Sequence, residues 1–206
     1  MRERFDELLE LVASALAKAG FTEQAEQVWS CAGEDELDKL IISQYTDESN
    51  LCNTVNDVLR ACHSFHDFDA STTNNEFDEP LAPWILQLNS CMRKLPHFEQ
   101  KAYRGTRLDK DDIAQYKTGE MFIWAPFVSA SRDITRCFGG NVIFEITNQE
   151  HFRGLNDKGY PRDISGLSFF PEEQEVLYPV SCAFRIDEIR LESDYTLIAL
   201  KTLDSY

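Results

Sequence analysis

Basic residues are scarce in this sequence: 20 lysines and arginines stand against 36 acids, a formal net charge of −16 at pH 7. That balance opposes approach to duplex nucleic acid or an anionic membrane surface, so neither is an expected partner. Thiols are also few and scattered. The six cysteines, Cys31, Cys52, Cys62, Cys91, Cys137 and Cys182, form no CxxC pair and no framework of the kind that staples small secreted scaffolds. They read as free thiols in a reducing compartment. Cys62-His63-x-x-His66 is the nearest approach to a metal cluster, but it lacks a companion pair at a zinc spacing, so these residues read as structural and no metal is expected. Long apolar runs are missing as well. The opening Met-Arg-Glu-Arg-Phe-Asp-Glu is charged, and Glu10 and Lys18 interrupt the apolar positions after it, which fits neither a signal peptide nor a membrane span. The expected location is the cytoplasm, or the cytosol of another cell reached by a signal-peptide-independent route. There is no GxSxG elbow, and no histidine is placed by motif beside Ser129 or Ser131, which argues against a serine nucleophile. No solenoid-type repeat appears.

A chain of 206 residues can nevertheless bury a core without disulfides. Phe5, Leu8, Leu9, Val12 and Leu16 recur at helical spacing up to a stop at Gly20, and Thr22 is a plausible N-cap for a second helix through Trp29. Further helical patterns cover 35–44 and 49–65. Residues 66–80, HDFDASTTNNEFDEP, are polar and turn-rich and read as a loop or boundary. A helix over 83–94 then closes at Pro96. Short apolar or aromatic runs take over at 101–105, 122–131, 141–147, 175–178, 182–189 and 196–203, with turn signals between them. These features predict an α+β protein, with N-terminal helices followed by an antiparallel or mixed β-sandwich. The expected division is a helical region over 1–80 and a core over 81–206, in a monomer.

Three stretches could carry chemistry. In Phe169-Phe170-Pro171-Glu172-Glu173-Gln174-Glu175, two carboxylates at i and i+2 on extended chain project to one side, which suits either a solvated acidic turn or a site that wants two acids. In Tyr103-Arg104-Gly105, an arginine ends a short apolar strand beside a residue without a Cβ, where an anion such as a pyrophosphate could approach the backbone. A surface ion pair is the alternative. In Phe127-Val128-Ser129-Ala130-Ser131, two hydroxyls share a face and can orient a carboxylate, although Ser131 could instead cap a helix starting near Arg132.

Taken in order, these three stretches resemble the arginine, serine and glutamate motifs of the mono-ADP-ribosyltransferases of the cholera-toxin-like branch. The resemblance covers roughly 84–192, including Leu95-Pro96, the Phe138-Gly139-Gly140 turn and the Phe144-Glu145-Ile146 strand. It implies an ADP-ribosyltransferase fold and NAD as co-substrate. It further implies that Arg104, flanked by Tyr103 and Gly105, binds NAD at its phosphate and ribose side, with Ser131 and Phe138 along the same site. Ser129 would orient the key acid, Glu175 would contact the 2′-hydroxyl of the nicotinamide ribose, and Glu173 would face the acceptor. Phe169 and Phe170 lie where the family keeps a loop that recognises its target protein. Ala130 departs from the threonine common in the family, and its side chain should point away from both serines.

The implied chemistry is self-consistent. Nicotinamide in NAD is already a cationic leaving group and needs no acid to protonate it; what needs help is the positive charge developing on the ribose, which a neighbouring carboxylate stabilises. A second acid is useful because an arginine guanidinium is a poor nucleophile until a carboxylate orients it and takes its proton. The expected partner is therefore a target protein with an exposed arginine. An NAD glycohydrolase, in which water replaces the acceptor, is the second enzymatic reading, and a non-catalytic NAD- or protein-binding module is the third.

Overall fold

A computed structural model of the chain describes residues 2–61, 79–148 and 160–203. Cys62, His63, His66 and most of the polar stretch lie outside the described residues. The described chain forms two compact units, one of residues 1–94 with 167–169 and the other of 95–166 with 170–206.

The first unit is helical. Helix α1 (Arg2–Lys18) buries Leu9, Val12 and Leu16 and ends where Gly20 adopts φ 89°, a left-handed turn that a side chain would resist. In helix α2 (Thr22–Trp29) the capping position is held by Phe21 without a side-chain bond, so Thr22 opens the helix rather than capping it. Helix α3 (Glu34–Thr46) starts with three acids, which complement its positive N-terminal dipole. Helix α4 (Leu51–Ala61) receives Ser49 Oγ as acceptor for the Leu51 N–H. Helix α5 (Ala82–Arg93) has its proline in the first turn, where the missing N–H costs nothing. It packs on α1 and α3, and this unit runs to Lys94.

Gln44, buried on α3, ties these helices together. Its Nε2 donates to the Gln24 carbonyl and to Gln27 Oε1, each at 3.0 Å, and its Oε1 accepts from Trp84 Nε1 at 3.2 Å. Trp84 is fully buried, so its indole N–H has nowhere else to go.

The second unit comprises strands β1 (Ala102–Thr106), β2 (Met121–Trp124), β3 (Val128–Ser131), β4 (Val142–Thr147), β5 (Arg162–Asp163), β6 (Glu175–Tyr178), β7 (Cys182–Leu191) and β8 (Thr196–Thr202). Helix α6 (Lys110–Gln115), capped by Asp109 accepting from the Asp112 N–H, lies between β1 and β2. The strands make one sheet of order β2-β7-β8-β4-β1-β3-β6-β5, parallel between β4 and β8 and antiparallel elsewhere. The sheet folds across itself as a sandwich does. Tyr178 on β6 meets Phe184 on β7 with ring centroids 5.7 Å apart, although four strands separate β6 from β7 in the sheet. Phe144, Ile146, Val176, Ile198 and Leu200 fill the same core.

The run expected over 122–131 is two strands. Pro126 has no N–H to give a ladder, and the chain breaks at Ala125–Phe127 so that β2 joins the sheet edge while β3 enters between β1 and β6.

Replacing Gln44 by Leu would strand the Trp84 indole N–H in the helical core. We expect a loss of about 2 kcal/mol of unfolding free energy, measured by urea titration; an unchanged midpoint would contradict the role given to Gln44.

Candidate active site

Strands β1, β3 and β6 bring the sequence motifs together. Their register puts Tyr103, Ser131 and Glu175 in one cross-strand row, and Ser129 stands two places along on the same face. Ala130, between the serines, faces the other way and is buried in the core. A cleft is lined by Tyr103, Arg104, Gly105, Ser129, Ser131, Phe138, Glu173 and Glu175, together with Arg136 and Cys137.

Ser129 touches both an acid and a cation of this cleft. Its hydroxyl donates to Glu175 Oε1 at 2.6 Å, while its carbonyl accepts from an Arg104 guanidinium nitrogen at 2.7 Å. Glu175 is buried, with 6% of its surface exposed, so its charge depends on partners of this kind. Ser131 plays a different part. Its hydroxyl donates to the Glu173 carbonyl at 2.7 Å and accepts from the Asp133 N–H at 3.1 Å, fixing the turn that carries Glu173. No helix begins at Arg132; residues 132–137 form bends and turns, so the capping alternative for Ser131 does not apply.

The two acids reach one cleft by a route other than the one expected. Glu173 ends a short 3₁₀ turn (Pro171–Glu173), Gln174 is left-handed at φ 50° and ψ 51°, and only Glu175 is on a strand. Alternation along extended chain therefore does not account for their common side. The left-handed Gln174 reverses the path between them. Burial, with the charge of Glu172 as a second cause, holds the Glu173 carboxyl above its ordinary pKa.

Gly105 also works differently from the expectation. A Cβ there would lie 1.5 Å from the Phe138 carbonyl oxygen, so the space is taken by the protein's own loop rather than left for a ligand. Gly140 has the same relation to Thr106, whose carbonyl oxygen would be 1.9 Å from a Cβ. Together the two glycines seat the 137–140 loop on β1 and leave Phe138 62% exposed at the cleft. Arg136 and Cys137 join the cleft as residues that no sequence motif points to. Their nearness to the Phe138-Gly139-Gly140 turn is the one signal that could have found them.

Phe169 and Phe170 are not among the lining residues. Phe169 belongs to the helical unit, where its N–H donates to Thr46 Oγ1 at 2.8 Å and its ring is exposed; Phe170 is half-buried and precedes the 3₁₀ turn. Among the described residues no group of three or more histidines, cysteines or carboxylates could hold a metal, and no helix is long and apolar enough to cross a membrane.

Known proteins share this architecture. ADP-ribosyltransferase HopU1 of Pseudomonas syringae pv. Tomato DC3000 superposes with a TM-score of 0.68 at 22% identity, covering 97% of this chain and 87% of that one. ADP-ribosyltransferase Vis, solved in complex with agmatine, superposes with a TM-score of 0.59 at 26% identity, covering 82% of this chain and 74% of that one. In sequence, Vis of Vibrio splendidus (strain 12B01), named for NAD(+)–arginine ADP-ribosyltransferase activity, is 28% identical over 162 residues, 73% of this chain and 59% of Vis. Mav of Mycobacterium avium (strain 104), named for the same activity, is 34% identical over 103 residues, 48% of this chain and only 11% of Mav. The chain thus spans less than two thirds of either relative. The family model of NAD:arginine ADP-ribosyltransferases matches residues 12–206, and the chain belongs to that family.

Proposed function

We propose that this protein moves ADP-ribose from NAD to an arginine side chain of a target protein and releases nicotinamide. The observation that carries the reading is a buried carboxylate, Glu175, held at 2.6 Å by the Ser129 hydroxyl in a cleft that also contains Arg104 and a second acid, Glu173. The residue types fit NAD. Arg104 and Arg136 supply cations for a pyrophosphate, the exposed Phe138 ring supplies a surface for nicotinamide, and Glu175 is a hydrogen-bond acceptor for a ribose hydroxyl.

NAD brings a cationic leaving group and a ribose carbon that becomes electrophilic as that group departs. Glu175 accepts a hydrogen bond from the 2′-hydroxyl and places negative charge beside that carbon. Ser129 keeps the carboxylate aimed. Glu173 orients the acceptor guanidinium and takes its proton as the guanidine nitrogen bonds to C1′ and the bond from C1′ to nicotinamide breaks. The excess of acids over bases, 36 to 20, favours a target with a basic, arginine-exposing surface.

Nicotinamide release, measured with and without agmatine as a soluble guanidine acceptor, separates the two acids. Glu175→Gln should lose roughly a hundredfold or more of both agmatine-dependent transfer and NAD hydrolysis. Glu173→Gln should lose a similar factor of transfer and keep most of the hydrolysis. Equal loss of both activities in both variants would overturn the roles, and hydrolysis without any response to agmatine in the unaltered protein would favour the glycohydrolase.

The raised Glu173 pKa gives a second expectation. Glu173 acts as a base, so transfer should fall with decreasing pH as this carboxyl protonates, at a pH above the ordinary glutamate range, while hydrolysis shows no such limb. Glu172→Gln removes one cause of the shift and should move the limb to lower pH. A limb that stays in place in Glu172→Gln would contradict the assignment.

A further inference from the structure

Between the two acids stands Gln174, a non-glycine residue in a left-handed conformation that chains adopt only when their surroundings enforce it. Arg132 makes three bonds around it, two of them to Gln174 itself. The Arg132 N–H donates to the Gln174 carbonyl at 3.1 Å, Arg132 Nε donates to Gln174 Oε1 at 3.2 Å, and an Arg132 terminal nitrogen pairs with Asp163 Oδ2 at 2.7 Å. Asp163 is itself well anchored. It lies on β5 opposite Val176 of β6, and its other carboxylate oxygen accepts from the Ser165 N–H and hydroxyl at 3.0 and 2.6 Å. The guanidinium therefore spans from a paired strand to the one residue whose backbone must reverse between Glu173 and Glu175. Arg132 follows Ser131 directly, and Ser131 bonds the Glu173 carbonyl, so the end of β3 grips consecutive peptide units of the acidic turn.

We propose that Arg132, braced by Asp163, is a positioning residue for the acceptor side of the reaction. It holds Gln174 left-handed and so keeps the Glu173 carboxylate over the cleft that contains Glu175. This rests on the reading of Glu173 as the base that receives the acceptor's proton. Arg132 is absent from the residues lining the cleft, and its side chain is 41% exposed, so it acts through Gln174. The brace decides which nucleophile takes the ribosyl group. With it, a guanidine nitrogen bonds to C1′ as the bond from C1′ to nicotinamide breaks and nicotinamide leaves, and the guanidinium proton passes to Glu173; with the turn relaxed, Glu173 leaves its place and water alone is served.

Exposed ion pairs of this kind contribute little to global stability, so variants at these positions should fold. In Arg132→Ala we expect agmatine-dependent transfer to fall about tenfold while NAD hydrolysis and NAD affinity stay within about twofold, because misplacing a base acts on the step that uses it. Asp163→Asn should lower transfer in the same selective way, by a smaller factor. Adding Gln174→Gly to Arg132→Ala should recover most of the lost transfer, since glycine adopts a left-handed conformation without steric cost. A merely structural residue would lower transfer and hydrolysis together and would not be rescued by glycine, and either result would overturn the proposal. Amide hydrogen exchange at Glu173 and Gln174, followed by NMR, tests the brace independently of activity: it should quicken in Arg132→Ala, and unchanged exchange would also overturn the proposal. Should the unaltered protein fail to respond to agmatine, the assignment of Glu173 is what fails, and the exchange measurement alone decides the brace.

Discussion

Ser129 is the point on which the site depends. One residue uses its hydroxyl on Glu175 and its carbonyl on Arg104, so the anionic and cationic sides of the cleft are fixed to the same residue. A carboxylate at 6% exposure is costly to keep charged without such a partner, and a guanidinium is costly to keep still. Strand geometry meets both needs at once because a strand residue presents its side chain to one face and its carbonyl within the plane of the sheet. Moving Ser129 by one residue would put the hydroxyl in the core, where Ala130 is.

The rest of the second unit serves to hold that strand. Strand β3 lies between β1 and β6, and the aromatic cluster of Trp124, Phe144, Tyr178 and Phe184 fills the space where the sheet folds over. Gly105 of β1 and Gly140 of the Phe138 loop allow backbone to lie on backbone, which brings Arg136, Cys137 and Phe138 to the cleft edge. In the function proposed above, hydrolysis and transfer differ in what the second acid does, and the left-handed Gln174 lies between the two acids.

Much of this is legible in the sequence, for identifiable reasons. Tyr103-Arg104-Gly105, the Ser129 and Ser131 pair and the Glu173 and Glu175 pair can be read because their chemistry depends on residue type and short spacing. Strand β6 has the limits expected because its short apolar run is bounded by turn residues, and helix α2 ends at Trp29 as its pattern predicts. The features that escape such a reading are non-local or conformational. Glutamine has no particular preference for φ 50°, so nothing at position 174 announces the reversal, and the side chain that bonds it there comes from Arg132, 42 positions away in the chain. The Gln44 to Trp84 bond spans 40 positions and is equally silent. The split at Pro126 and the Asp109 cap of α6 do have signals in backbone chemistry, a missing donor and a capping carboxylate, but the apolar pattern around each masks them.

The proposed chemistry rests most directly on the Ser129 to Glu175 bond, the contact that would aim the carboxylate at the ribose. Ser129→Ala removes that bond and leaves the backbone carbonyl that Arg104 uses. Single-turnover nicotinamide release by this variant, measured beside its NAD affinity from calorimetry, isolates the effect. The release rate should be lower by about a hundredfold with affinity within a few fold. A variant that releases nicotinamide at the unaltered rate, or one that loses affinity in proportion to rate, would contradict this role for Ser129.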